Sequence, residues 1–205
     1  MPNPNPPFLS LSSNAVAAVA KWASPDTTRP HIQMVLFASD EYVACDGHRM
    51  VIVPYDKDLQ SPATPPPFGV DAAHLLAAVA AKRAMVTSGD NIAIEPGYPG
   101  SGAGGQVRIW LDGTRVGPAL LVPARSADSY PPYKQVMPSK PDEGCNPDGY
   151  GLDPRYLAAI VEVNEATCPH SNHGVKIIAW TRDRLGPMAF RNESGVQFAI
   201  MPVRM

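Results

Sequence analysis

The stretch EYVACDGHRMVIVPYD, Glu41 to Asp56, sets two runs of alternating apolar residues on either side of Asp46-Gly47-His48-Arg49. Alternation with a period of two marks half-buried strands, and an Asp-Gly pair between two such runs marks a bend. A carboxylate, an imidazole and a guanidinium within four positions also raise the question of chemistry. Asp46 and His48 alternate, so both can point the same way as a carboxylate–imidazole pair, while Cys45 faces the opposite side. A hydrolase would also need a nucleophile, and the sequence has no G-x-S-x-G elbow. The competing reading makes Asp46 a bend residue that ties down backbone donors and leaves His48 and Arg49 facing a surface.

Outward from this hairpin, the 24 prolines divide the chain into blocks. Three segments between them have helical character: SSNAVAAVAKWAS, VDAAHLLAAVAAKRAM and LDPRYLAAIVEVNEA. Ser12, Ser13 or Asn14 can cap the first, Asp71 the second and Asp153 the third, where Pro154 takes the first helical position. All three are rich in alanine and short aliphatics, which suits packing against a small-residue face. Strand-like runs follow each one. HIQMVLFAS, EYVAC and MVIVPY follow the first; AMVTSG, NIAIEP and GQVRIWLDGTRVGPALLVP, with a turn at Asp112-Gly113, follow the second. GVKIIAW, PMAFRNE and GVQFAIMPV follow the third. A strand, a helix and three or more strands, repeated three times, predict an α+β protein whose antiparallel sheets carry helices on one face.

The 205 residues suffice for a sizeable core, and 44% apolar with 18% charged residues is an ordinary soluble composition. A net charge of −2 exerts no global pull on nucleic acid or membrane, so such contacts need a local basic face. Three cysteines without framework spacing suit a reducing, cytoplasmic compartment. The opening MPNPNPPF has neither a charged n-region nor an apolar h-region and reads as a disordered tail over residues 1–7. The glycine-rich PGYPGSGAGGQ reads as a long hairpin loop, lacking the lysine of a phosphate-binding loop.

Three further groups of residues bear on function. Cys168, His170 and His173, with Cys145 as a fourth, have zinc-ligand chemistry but the spacing of no common zinc module. A small hydrolase or metal enzyme using Asp46 and His48, or that cluster, is the enzymatic alternative. Lys21, Lys82, Arg83 and Arg155 place cations at helix ends, where they complement the helix dipole or form a thin DNA-facing footprint. The terminal VQFAIMPVRM is an apolar strand ending in two methionines, a proline and an arginine, residues suited to an adaptable peptide groove or to a fraying core strand.

Asp46-Gly47-His48-Arg49-Met50 after an apolar strand, then SYPPYKQVMP (Ser129 to Pro138) and the terminal MPVRM, resemble the bacterial sliding clamp family, the DNA polymerase III beta subunits. In that family the hairpin carries threonine-aspartate-glycine-histidine-arginine-leucine, so Cys45 and Met50 depart from it. Residues 8–138 resemble one whole clamp domain, the middle one, residues 139–147 a linker, and residues 148–205 the second half of the last domain. The resemblance implies a non-enzymatic protein without cofactor. It would bind short linear motifs of a DNA polymerase, clamp loader or repair protein. The implied groove is walled by Gly47, His48, Arg49 and Met50, then Pro138 and Tyr156, and on the other side Met201, Pro202, Val203 and Arg204. It also implies helices turned toward duplex DNA. Family rings hold twelve such units, so four chains of three units would be needed for a homo-oligomeric ring. A clamp mimic that never closes and sequesters clamp partners is the alternative within binding proteins.

Overall fold

The structure is a computed structural model describing residues 7–56, 65–85, 89–97, 105–113, 115–138, 151–168, 174–180 and 186–202. The tail expected over residues 1–7 lies outside them apart from Pro7, as does most of the glycine-rich loop.

The threefold repeat is visible in the element order. The first unit is β1 (Leu9–Ser12), α1 (Ser13–Ala20), β2 (Met34–Phe37), β3 (Glu41–Cys45) and β4 (Arg49–Pro54). The second is β5 (Phe68–Asp71), α2 (Ala72–Arg83), β6 (Asn91–Pro96), β7 (Gln106–Trp110) and β8 (Ala119–Ser126). The third is α3 (Pro154–Thr167), β9 (Val175–Trp180), β10 (Met188–Asn192) and β11 (Gln197–Ile200), preceded by a single bridge at Gly151. One expected strand is not seen among the described residues. Of AMVTSG, Ala84 and Met85 close the helical turn after α2, Gly89 lies in a bend, and residues 86–88 fall outside the described set.

The caps follow the sequence with one exception. Ser12 accepts the Ala15 N–H at 3.4 Å, and Asp153 accepts the Arg155 N–H at 2.8 Å. Asp71 sits at the cap of α2 but makes no capping bond, because Arg125 grips its carboxylate with two hydrogen bonds of 2.7 and 2.9 Å. A bidentate guanidinium is the stronger partner for a carboxylate.

The eleven strands of the described residues join in one antiparallel sheet, ordered β1-β6-β7-β8-β5-β2-β3-β4-β11-β10-β9. The first two units exchange their leading strands: β1 pairs with β6 of the second unit, and β5 pairs with β2 of the first. The third unit joins edge to edge, with Gln197–Ile200 of β11 opposite Arg49–Ile52 of β4.

The helices share one face of this sheet and run antiparallel to their neighbours. The Arg83 guanidinium at the end of α2 bonds Asn14 at the start of α1 at 3.0 Å. Lys21, just after α1, pairs with Glu162 of α3. Wedged between the other two, α1 buries every residue except Asn14, which explains why it is built of alanine and valine. Trp22, 1% exposed, meets Phe198 of β11 at 5.7 Å between ring centroids and ties the first unit to the third. The opposite, outer face carries a smaller cluster of Met34, Leu36, Val43, Met50, Ile52 and Ala199. Tyr130 in the segment after β8 covers it.

Candidate functional site

The bend between β3 and β4 is built by its aspartate. Asp46 Oδ1 accepts the N–H groups of His48 and Arg49 at 2.9 and 3.0 Å, and Oδ2 accepts Arg49 Nε–H at 2.9 Å. Gly47 has φ +93°, a left-handed conformation that a side chain strains, and an added Cβ would lie 3.0 Å from Arg29 Nη1. The carboxylate is thus committed to backbone donors and Arg49, and the His48 side chain stands exposed.

Arg49 is a keystone of the third-unit junction. Its Nη2 donates to the Lys21 carbonyl at 3.0 Å, and its guanidinium lies 4.9 Å from the Trp22 ring centroid and 5.4 Å from that of Tyr156. One side chain therefore joins the hairpin, the end of α1 and the start of α3 through charge, hydrogen bonds and cation–π contact. The Tyr156 phenol is held above its ordinary value by desolvation first, then by the negative charge of Asp46 and Asp153.

Beside this junction, on the outer face, lies a groove of about 330 Å³. Met50 and Ala199 of the paired strands β4 and β11 line it, together with Cys45, Gly47, His48 and Arg49. Pro131, Tyr133 and Val136 of the segment after β8 line it as well, with Met201 following β11. The Met201 N–H donates to the His48 carbonyl at 2.8 Å, so chain end and hairpin are fastened together. Tyr133 Oη donates to Glu41 Oε1 at 2.6 Å and Tyr130 Oη to Cys45 Sγ at 3.4 Å, which anchor the covering segment. Burial pushes the Cys45 thiol up, outweighing the Tyr130 bond, so it is kept in the unreactive neutral form.

Of the residues expected here, Gly47, His48, Arg49, Met50 and Met201 do meet. Tyr156 reaches the groove only through Arg49, and Pro138 and Pro202 are half-buried nearby without lining it. Val203 and Arg204 lie outside the described residues. The sequence reading missed Arg29, His31 and Ile32, which line the groove from the loop after α1. The only signal was an arginine and a histidine around Pro30, easily taken for an ordinary loop. Among the described residues no Asp or Glu lines the groove, whereas Arg29, Arg49, His31 and His48 do. The groove is apolar with a basic rim.

The other candidates fare differently. Cys145, His170 and His173 lie outside the described residues. Cys168 is buried in a polar knot with Ser194 and Asn192, and Asn192 donates to Asn164 Oδ1 at 2.7 Å. Among the described residues no group of three or more His, Cys, Asp or Glu is placed to hold a metal. Lys82 corrects the expected DNA-facing set. It is 5% exposed, and its ammonium donates to the carbonyls of Gly89 and Leu111 at 3.0 and 2.9 Å, tying down the turn after α2. Lys21, Arg83 and Arg155 do reach the surface. Lys21 is paired with Glu162, Arg83 is bonded to Asn14, and Arg155 grips Asp153. Two of these three cations are therefore held by carboxylates and the third by a neutral amide. No described helix is long and apolar enough to cross a membrane.

Repeated helix-and-three-strand units, exchanged leading strands and helices on one face of a continuous antiparallel sheet define the sliding-clamp fold. The solved structures it superposes on are DNA polymerase III beta subunits. The Thermotoga maritima beta subunit matches over 100% of this chain and 67% of its own length, at 13% identity and a TM-score of 0.62. The Borrelia burgdorferi subunit, solved in complex with a natural product, matches over 97% of this chain and 64% of its own, at 12% identity and a TM-score of 0.66. The Bartonella birtlesii clamp, bound to griselimycin, matches over 100% and 68%, at 16% identity and a TM-score of 0.60. The chain thus spans about two thirds of the length of these clamps. No family model and no curated protein matches the sequence.

Proposed function

We propose that the protein is a non-enzymatic, cytoplasmic, sliding-clamp-like binding protein. Its outer groove receives short linear motifs of replication or repair proteins. The observation that carries this reading is the convergence of the 46–50 hairpin, Met201 and the segment after β8 on one apolar cavity of about 330 Å³. Concave apolar sites with a few polar groups at the rim suit short motifs, and methionines repack around different guests. A leucine or phenylalanine of the guest fills the space beside Met50 and Met201. An acidic residue of the guest faces Arg29 and the histidines, since the described lining holds no carboxylate and the ion pair of Arg29 with Asp26 is exposed and weak. Arg49 shapes the groove and stays bound to Asp46.

Fluorescence anisotropy with a labelled apolar–acidic clamp-binding peptide tests this. Micromolar affinity is expected, about 8 kcal/mol. Met201→Glu should weaken it at least tenfold with the thermal midpoint unchanged; undiminished binding would remove the site.

One observation favours a clamp-like protein that does not encircle DNA. The charges exposed on the helix face cancel, and α1 is covered by α2 and α3. A processivity role through ring closure would call for a net basic lining. Gel-shift titration of duplex DNA at 50 mM salt separates the two. Absence of a salt-dependent shift supports partner sequestration, and a steep salt dependence supports encirclement.

A further inference from the structure

Among the described residues the third unit has no counterpart to what the first two give each other. Within the first pair, each leading strand crosses to the strand that follows the partner's helix: β1 to β6 and β5 to β2. The corresponding acceptor in the third unit is β9, the first strand after α3. It lies at the end of the sheet, with no partner on its outer side among the described residues. A corresponding donor is also present. Gly151-Leu152-Asp153 ahead of α3 repeats the Gly69-Val70-Asp71 pattern of β5 and makes only a single bridge in the described structure.

The helix tells the same story. One flank of α3 rests on α1, while the other presents Leu157 and Val161, four residues apart, at 41% and 55% exposure. Ile177 of β9, opposite Phe190 in the core cluster and so on the helix side of the sheet, is 50% exposed. An aliphatic helix flank beside a bare strand edge, both on one unit, is a half-built domain.

We propose that a second copy of this chain covers this surface, the two third units pairing about a twofold axis. Each copy donates its pre-α3 residues to the other's β9 and packs α3 antiparallel against its partner. The axis is what the first two units already use in approximate form, since their exchange is reciprocal. A reciprocal exchange between identical units is an isologous, closed contact. The contact is independent of the peptide groove, which lies on the opposite face.

Sedimentation velocity on the full chain across 0.5–100 μM (roughly the range in which modest interfaces assemble) reads the outcome. The expected species has twice the 21.9 kDa chain mass. Val161→Glu and Ile177→Glu, each at an already exposed position, should shift it to monomer with unchanged circular dichroism and unchanged peptide binding. Val161→Cys, near the axis, should form a disulfide with its own copy on mild oxidation, at a rate far above that of the parent protein. A monomer at every concentration overturns the proposal, as does a dimer that survives both glutamate variants.

Discussion

The two faces of the one sheet are held by cations used in opposite ways. On the helix side Lys82 is withdrawn into the protein and silenced by two carbonyls, the exposed Lys21 and Arg155 are paired with carboxylates, and Arg83 is bonded to Asn14. Toward the outer groove, Arg49 is gripped by Asp46, yet its fixed position props open an apolar cavity rimmed by further basic side chains with no lining carboxylate. The difference teaches where recognition resides. A neutral face with a covered central helix offers little to a polyanion, whereas a basic-rimmed apolar groove offers a specific place to a short peptide.

Removing the keystone breaks the comparison most sharply. Arg49→Met should cost about 3 kcal/mol in urea unfolding, because it leaves the partly buried Asp46 carboxylate and the Lys21 carbonyl without their charged donor. Peptide binding should fall with it. Lys82→Met keeps the apolar stem but orphans the Gly89 and Leu111 carbonyls, at a cost of about 2 kcal/mol, and should leave any DNA affinity unaltered. A loss of DNA binding in that variant at full stability would return Lys82 to a functional role.

Alkaline titration probes both faces, Tyr42 and Tyr55 from the helix-side core and Tyr130 and Tyr133 from the outer one. Burial raises the phenols of Tyr42, Tyr55, Tyr130 and Tyr133, with Glu41 adding to the effect at Tyr133. Folded values above the unfolded value near 10 mean that the stabilisation is full below that pH and is lost as pH climbs beyond it. Unfolding monitored at increasing pH should therefore set in above about pH 10. Absorbance should show those phenols ionising only as the fold is lost. Tyr133→Phe, which deletes the bond to Glu41, should cost about 1 kcal/mol at neutral pH. The smallest effect belongs to the helix surface: Lys21→Ala removes an exposed ion pair and should change stability by less than about 1 kcal/mol.

Local structure was legible where a residue's chemistry acts on its own neighbours. The bend at Asp46-Gly47, the Ser12 and Asp153 caps and the strands of the repeat are of that kind. What could not be read depended on distant partners. Nothing near Asp71 announces that Arg125 takes its carboxylate, and nothing near Lys82 announces the Leu111 carbonyl. The exchange of β1 and β5 is equally silent in the sequence, since each strand's partner is chosen by how the two helices pack. The groove was half legible. Its hairpin and Met201 could be matched by motif, but Arg29 and His31 join it only because the loop after α1 folds back across Gly47.

The pairing of β4 with β11 also fixes when the groove comes into being. About three quarters of the chain separates Met50 from its partner Ala199. The hairpin that forms one wall closes between residues adjacent in the chain, while the opposite wall, carrying Ala199 and Met201, must be brought in from the third unit. Such a contact of high sequence separation is slow to close and forms after the local ones. A chain in which β11 has not docked on β4 therefore shows the outer face without its groove, so the ability to hold a guest doubles as a sign that the first and third units have joined.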